Sequence, residues 1–355
     1  MSSVRRCLGV VILGALSAHL TLEAQAPERH LVSGEAVAIY NLVGRVTVTG
    51  GGGSDVAIEV SRHGADARRL AVETGAIERN GRRWQSLRVV YPSGRIVAAS
   101  LGSRSRTSLK VRRDGTFGDG GRDRGDEVVI AGSGSGMNAA ADLAVAIPPG
   151  KRVSLYLAVG EVRVTNVTGE LRIDVASAPV SVAGVTGSLT VDAGSGAVNV
   201  QTIEGELSVD TGSGRVVARD IRGPHLVVET GSGGFEGAGI TTQSVDVESG
   251  SGDVSLSDVA AASVSIETGS GEVTLAMKQA PNLLAVETGS GDVEIRVPGD
   301  LSAQVDFETG SGDIETDFSV TIRKYSRDSV RGQIGNGKGR VQIETGSGDI
   351  RLLRS

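Results

Sequence analysis

The chain of 355 residues carries a net charge of −6, 39% hydrophobic residues, 52 glycines and only 3% aromatics. That composition excludes a compact core built on Phe, Tyr and Trp, and its apolar share is too high for a solvated disordered tract. The negative balance argues against nucleic acid as a partner, because phosphate binding needs clustered positive charge.

Residues 1–26, MSSVRRCLGVVILGALSAHLTLEAQA, read as a signal peptide. Arg5 and Arg6 precede an apolar run over 8–16, and Ala24-Gln25-Ala26 forms a small-residue exit. The run falls short of the roughly 20 apolar residues that a membrane-spanning helix needs. Export is therefore expected, to the periplasm, the cell surface or the medium. The ending DIRLLRS has no hydrophobic tail, which predicts no transmembrane anchor after cleavage. Loss of the signal removes Arg5, Arg6 and Glu23, takes the net charge to −7, and removes Cys7. What remains has no cysteine and must be held by backbone pairing and aliphatic packing.

Residues 27–127 are expected to form N-terminal β rungs and a cap. Strand-like runs such as AVAIYNLVGRVTVTG and DVAIEVSRH lie here, with Tyr40, Trp84 and Tyr91. Stretch 98–127 breaks the pattern and reads as an inserted Arg/Gly-rich loop. Its Arg104, Arg106, Lys110, Arg112, Arg113, Arg122 and Arg124 are diluted by Asp114, Asp119, Asp123 and Asp126. A solvated loop is the plain reading, and contact with anionic lipid or cell-wall polymer is the functional one.

Residues 128–355 are expected to be a solenoid with a C-terminal cap. From residue 191 on, Gly-Ser-Gly begins at 194, 212, 231, 250, 269, 289, 310 and 346, so the interval is 18 to 21 until a final one of 36. A period of this size marks stacked supersecondary units. The final interval suggests one unit without a marker over 318–340, and the last rung, 341–355, should help seal the end with Leu352 and Leu353. Within a unit the pattern alternates: Val264 and Ile266 face one way, Ser265 and Glu267 the other, and Val273 and Leu275 resume the inner face after the triplet. Period two with β-branched residues is strand. Two short strands per unit leave no room for a crossover helix. One unit buries too little to fold alone, so units must coil, each parallel to the last at about 4.8 Å. The fold class is all-β, a single-stranded parallel β-helix (β-solenoid) with about 19 residues per rung. Gly-Ser-Gly is then a corner, two residues free to take positive φ around a hydroxyl.

The ETGSGDV units, IPPGKRVSLYLAVGEVRVTNVTGELRIDV, YNLVGRVTVTG and the ending RGQIGNGKGRVQIETGSGDIRLL together resemble the bacterial putative-adhesin family of unknown function. The resemblance implies an exported, glycine-rich, right-handed β-helix on or outside the membrane, and it implies no particular activity.

Two acidic columns flank the corner: Glu248, Glu267, Glu287 and Glu308 before it, Asp253, Glu272, Asp292 and Asp313 after it, with Glu229, Glu344 and Asp349 in equivalent places. Like charges one strand apart repel by roughly 1 kcal/mol per pair in water-like dielectric. A solvated ridge is the plain reading, and a divalent-cation ladder holding calcium, or a dock for a basic partner, is the functional one. GQIGNGKG at 332–339 approaches a phosphate loop, but Gly339 stands where a hydroxyl belongs and strand follows where a helix should. His30, His63 and His225 are scattered, and Ser in Gly-Ser-Gly lacks a nucleophile elbow. No catalytic residue or cofactor is assigned. The sequence thus supports a non-enzymatic, adhesin-like binding or scaffold module of the bacterial envelope, facing a glycan, protein or lipid surface. The alternative is a polysaccharide lyase or hydrolase using carboxylates on a β-helix.

Overall fold

In the computed structural model, residues 27–79, 81–118 and 125–355 are described, so the expected signal peptide, Cys7, Arg122 and Arg124 lie outside the described residues. The strands are β1 (Glu28–Val32), β2 (Ala36–Gly50), β3 (Val56–His63), β4 (Ala71–Arg79), β5 (Arg82–Val90), β6 (Arg95–Val97), β7 (Arg106–Val111), β8 (Asp126–Ala131) and β9 (Ala140–Ile147) in the N-terminal part. The repeat region contributes β10 (Lys151–Ser177), β11 (Val180–Ser195), β12 (Val198–Thr211), β13 (Val216–Thr230), β14 (Phe235–Ser249), β15 (Val254–Thr268), β16 (Val273–Met277), β17 (Leu283–Thr288) and β18 (Val293–Val297). The C-terminal strands are β19 (Ala303–Thr309), β20 (Ile314–Thr316), β21 (Val320–Tyr325), β22 (Ser329–Ile334), β23 (Gly339–Thr345) and β24 (Ile350–Arg354). All but β6, β7 and β8 belong to one large, mostly parallel sheet. Helix is confined to two short 3-10 turns among the described residues.

The repeat works by register. Val46 lies beside Val162, and the line continues through Val180, Val198, Val216, Phe235, Val254, Val273, Val293, Ile350 and Ile314. Apart from the half-buried Ile314, every member is essentially inaccessible to solvent. A second line joins Leu226, Val245, Val264, Leu284, Val341 and Val305. Alternating apolar residues thus meet like partners above and below, and the interior is a stack of mostly Val, Ile and Leu columns with Phe235 and Phe307 set among them. Strand β10 is long enough to lie on itself: the Gly150 amide donates to the Thr168 carbonyl at 3.0 Å.

Each of β11 to β15 runs as one ladder where two short strands were expected. The bend, shared with β10, is a single left-handed residue: Asn166 of β10 and Gly184, Thr202, Asp220, Gly239 and Asp258 of β11 to β15 have φ between 52° and 75° and stack as a column. Asn and Asp tolerate this conformation because their short polar side chains bond locally. That second corner has no glycine signature, which is why the triplet search does not find it.

The C-terminal order corrects the expectation. The last strands do not seal the stack; they lie inside it. Strand β23 pairs with β17 on one side and β19 on the other, and β24 sits between β18 and β20. Leu352, expected at an end cap, is fully buried. Segment 318–340, expected to hold a rung, instead forms the β21–β22 hairpin, whose β22 lies antiparallel on β19 and covers the end. The interval of 36 therefore reflects a hairpin, with the final triplet returning between the two before it.

The N-terminal end is capped in the same manner. Strand β2 is a rung, with β5 on its first half and β9 on its second; β3 lies antiparallel on β9, β1 on β3 and β4 on β5. Residues 128–147, expected as rungs, belong instead to β8 and to the cap strand β9. Antiparallel cover ends the parallel stack with paired backbone. The expected loop at 98–127 is also corrected. It supplies β7, which pairs with β8 in a three-stranded sheet, and it buries Phe117 edge-on to Tyr40 at 5.7 Å and Tyr156 at 6.1 Å. Tyr40 and Tyr156 stack at 4.5 Å between centroids.

Candidate functional site

The repeated Thr-Gly-Ser-Gly-Asp phrase is a joint between layers. A Cβ on Gly346 would lie 2.5 Å from the Gly289 carbonyl oxygen, and one on Gly310 would lie 2.4 Å from that of Gly346. None of the eight triplets from Gly194 to Gly346 has a positive φ at its first glycine. Close approach of backbone to backbone, more than freedom of φ, is what requires glycine there. The threonine before the triplet is buried, and in the later layers its hydroxyl donates to the second glycine carbonyl of the adjoining layer: Thr288 to Gly271 at 3.3 Å, Thr345 to Gly291 at 3.1 Å, Thr309 to Gly348 at 2.9 Å. The aspartate after the triplet accepts from the next layer's amide. Asp253 Oδ1 receives the Glu272 N–H at 3.0 Å, Asp292 that of Asp349 at 2.9 Å, and Asp349 that of Asp313 at 3.0 Å. Asp253, Asp292 and Asp349 thus have a structural task that their charge alone did not reveal.

The glutamates before the corner form a longer column than the triplets mark. Asp174, Asp192, Asp210, Glu229, Glu248, Glu267, Glu287, Glu344 and Glu308 are successive register partners. Arg172 reaches Asp192 at 3.2 Å and Arg331 reaches Glu308 at 3.6 Å; among the described residues no ion pair reaches the five glutamates between 229 and 344. Burial, followed by the charge of Asp210, pushes the Asp192 carboxyl above its ordinary pKa against the pull of Arg172. Among the described residues no group of three or more His, Cys, Asp or Glu is arranged to hold a metal ion. Glu248, Glu267, Glu287 and Glu308 stand exposed in one column, while Asp253, Glu272, Asp292 and Asp313 line the other.

A shallow groove of about 560 Å³ does gather Glu236, Asp253 and Glu272. Glu236 is tied to Arg215, and one Asp253 oxygen is committed to the Glu272 amide. The remaining sequence candidates separate. His30 faces Glu28 at 3.8 Å and His63 faces Asp142 at 3.3 Å. His225 Nδ1 lies 3.0 Å from Ser244 Oγ, which donates to Asp246 at 3.2 Å. A catalytic triad needs its carboxylate on the second imidazole nitrogen; here the carboxylate takes the serine instead. The 332–339 stretch crosses from β22 through a turn into β23, with no helix behind it.

One site was missed by sequence reasoning. A groove of about 490 Å³ is lined by Arg79, Arg82, Trp84, Arg152, Glu170 and Arg172, together with small and aliphatic neighbours. The hairpin β4–β5 supplies the first three, the two layers of β10 supply Arg152, Glu170 and Arg172, and β11 adds Ser188 and Thr190. Arg79 stands over the rings of Tyr156 at 4.8 Å and Trp84 at 5.4 Å, and its Nη1 donates to Ser154 Oγ at 3.0 Å. Arg152 Nη2 donates to Glu170 at 3.0 Å, and hydrogen bonding from Arg152 holds the Glu170 carboxyl below the usual range. These arginines are up to 93 positions apart in the chain, so no local motif announces them.

Against known families, the model described as Toastrack DUF4097 matches residues 187–353. That stretch resembles a Toastrack domain. It spans the regular layers and the intercalated final rung, and it bears out the putative-adhesin resemblance as a family of unknown function. No curated protein matches the chain. A solved structure described as a putative cell adhesion protein from Clostridium sporogenes ATCC 15579 is 10% identical over 93% of this chain and 100% of that chain, with a TM-score of 0.21, a value at which the backbones do not superpose as one arrangement. No helix among the described residues is long and apolar enough to cross a membrane.

Proposed function

We propose that the Toastrack-like domain and its N-terminal cap form a rigid, exported, non-enzymatic β-solenoid that acts as a spacer or binding surface in the bacterial envelope. The observation that carries this reading is the unbroken apolar line from Val46 to Ile314, in a stack whose strands β9 and β19 are covered by antiparallel partners. A filled interior of this kind resists bending, because each layer is bonded to two others along its length. Eleven layers at about 4.8 Å give a stack on the order of 50 Å before the caps. The register steps support a rung of about 19 residues, and the strong preference of parallel crossovers for one hand supports a right-handed coil. A glycan, protein or lipid surface of the envelope would meet the outward columns.

The reading is tested with the purified chain and isolated envelope fractions. Co-sedimentation with an envelope fraction, without release of new reducing ends or unsaturated uronates from its polysaccharides, is the expected result. Release of cleaved sugar would instead establish a polysaccharide-acting enzyme. N-terminal sequencing of the protein from its native host should begin near residue 27, and a start at Met1 would remove the export.

A further inference from the structure

We propose that the arginine groove at the junction of the N-terminal hairpin and β10 binds a short multivalent anion bearing two or more carboxylate or phosphate groups. Among the described residues, four guanidiniums and a single carboxylate line it, on a chain whose net charge is −6. Such a local excess of positive charge opposes the balance of the rest of the molecule. Arg82 is exposed, and among the described residues its side chain makes neither an ion pair nor a hydrogen bond. A purely structural cluster would neutralise each arginine; this one leaves Arg82 at the rim.

The other guanidiniums are held in place. Arg79 is clamped by two aromatic rings and Ser154, Arg152 is tied to Glu170, and Arg172 is tied to Asp192. Each of Arg152 and Arg172 is met by a single carboxylate and retains donors, since a guanidinium offers five N–H groups in a rigid fork. Fixed forks favour bidentate capture of carboxylate or phosphate oxygens at low conformational cost. The volume of about 490 Å³ suits a small ligand. Its length is limited on one side by the acidic column, which runs from Asp192 to Asp210 just beyond Arg172 and would repel a polyanion continuing along the stack.

Trp84 is the only tryptophan in the chain and lines this groove, so its fluorescence reports binding there directly. The full chain is titrated in parallel with tripolyphosphate and with trigalacturonate at low ionic strength. A saturable change in Trp84 emission with at least one probe is expected, and the probe that responds assigns phosphate or carboxylate chemistry. Arg82→Gln should weaken that binding by fivefold or more, and Arg82→Glu further, with unchanged circular dichroism because the side chain is exposed. Arg323→Glu, on the distant β21 hairpin, should leave it unchanged. No saturable change up to millimolar concentrations of either probe overturns the proposal. So does binding that survives Arg82→Gln intact, or that falls equally with Arg323→Glu, which would show diffuse charge attraction. None of these outcomes bears on the rod itself, whose test is envelope co-sedimentation.

Discussion

Replacing Ile343 by alanine tests the intercalated last rung. Ile343 is fully buried, with Val286 as its register partner on one side and Phe307 on the other. If β23 closed the stack as a terminal rung, Ile343 would have one packed neighbour layer and one partly open face. Lying between two layers, it loses contacts on both sides when truncated, and the surrounding backbone is bonded too regularly to collapse into the space. Fully buried isoleucine-to-alanine changes cost about 2–5 kcal/mol, with the upper part applying where the cavity cannot relax. The upper half of that range is expected here, measured as the change in unfolding free energy from urea titration followed by far-UV circular dichroism. Ile322→Ala provides the comparison, because Ile322 is 55% exposed on the outer hairpin and should change stability by less than about 0.5 kcal/mol. Hydrogen exchange should agree, with β23 amides as slow as those of β13 and β14, and β21 amides fast. A loss below about 1 kcal/mol for Ile343→Ala, with fast exchange across 339–345, would refute the inserted position and restore a terminal one.

Three further outcomes follow from the corners and columns. Thr202 holds φ 57°, a conformation that β-branched residues resist, so Thr202→Asn should raise stability by about 0.5–1 kcal/mol in the same titration, and a loss would show that the hydroxyl or methyl has a role there. Ser249 occupies the buried threonine position and its hydroxyl has no hydrogen-bond partner, whereas Thr268 donates to Gly252; Ser249→Ala should be neutral or stabilising, and Thr268→Ala should cost about 1–2 kcal/mol. Equal losses at the two sites would sink the layer-bonding account of the threonines. Asp192 has a folded-state pKa above its unfolded one, so its contribution is most favourable at low pH and is lost as pH rises through the folded value. Asp192→Asn should therefore be more stable than the parent at pH 7, by a few tenths of a kcal/mol given its exposure, with the difference vanishing near pH 3; the opposite sign would mean that the Arg172 pair outweighs burial and the Asp210 charge.

Alternation of Val, Ile and Leu with polar residues, broken at a fixed interval by glycine, was enough by itself to determine strands, a repeated bend and a stack of layers, because each of those is a local requirement. Strand parity comes from neighbouring residues, and a unit too small to fold alone has to lean on its copies. The order of the layers is a different matter. The later repeats offer the same Thr-Gly-Ser-Gly edge and closely similar apolar columns, so the rung ending at Arg354 fits beside Val286 and Val293 as well as it would fit at the end. Only the tertiary structure decides, through the β21–β22 hairpin that occupies the outer face of β19 and leaves the inner one for β23. The same holds for the arginine groove. Arg79, Arg82, Arg152 and Arg172 meet because β5 and β10 both pack on β2, and that neighbourhood exists only once the layers have assembled.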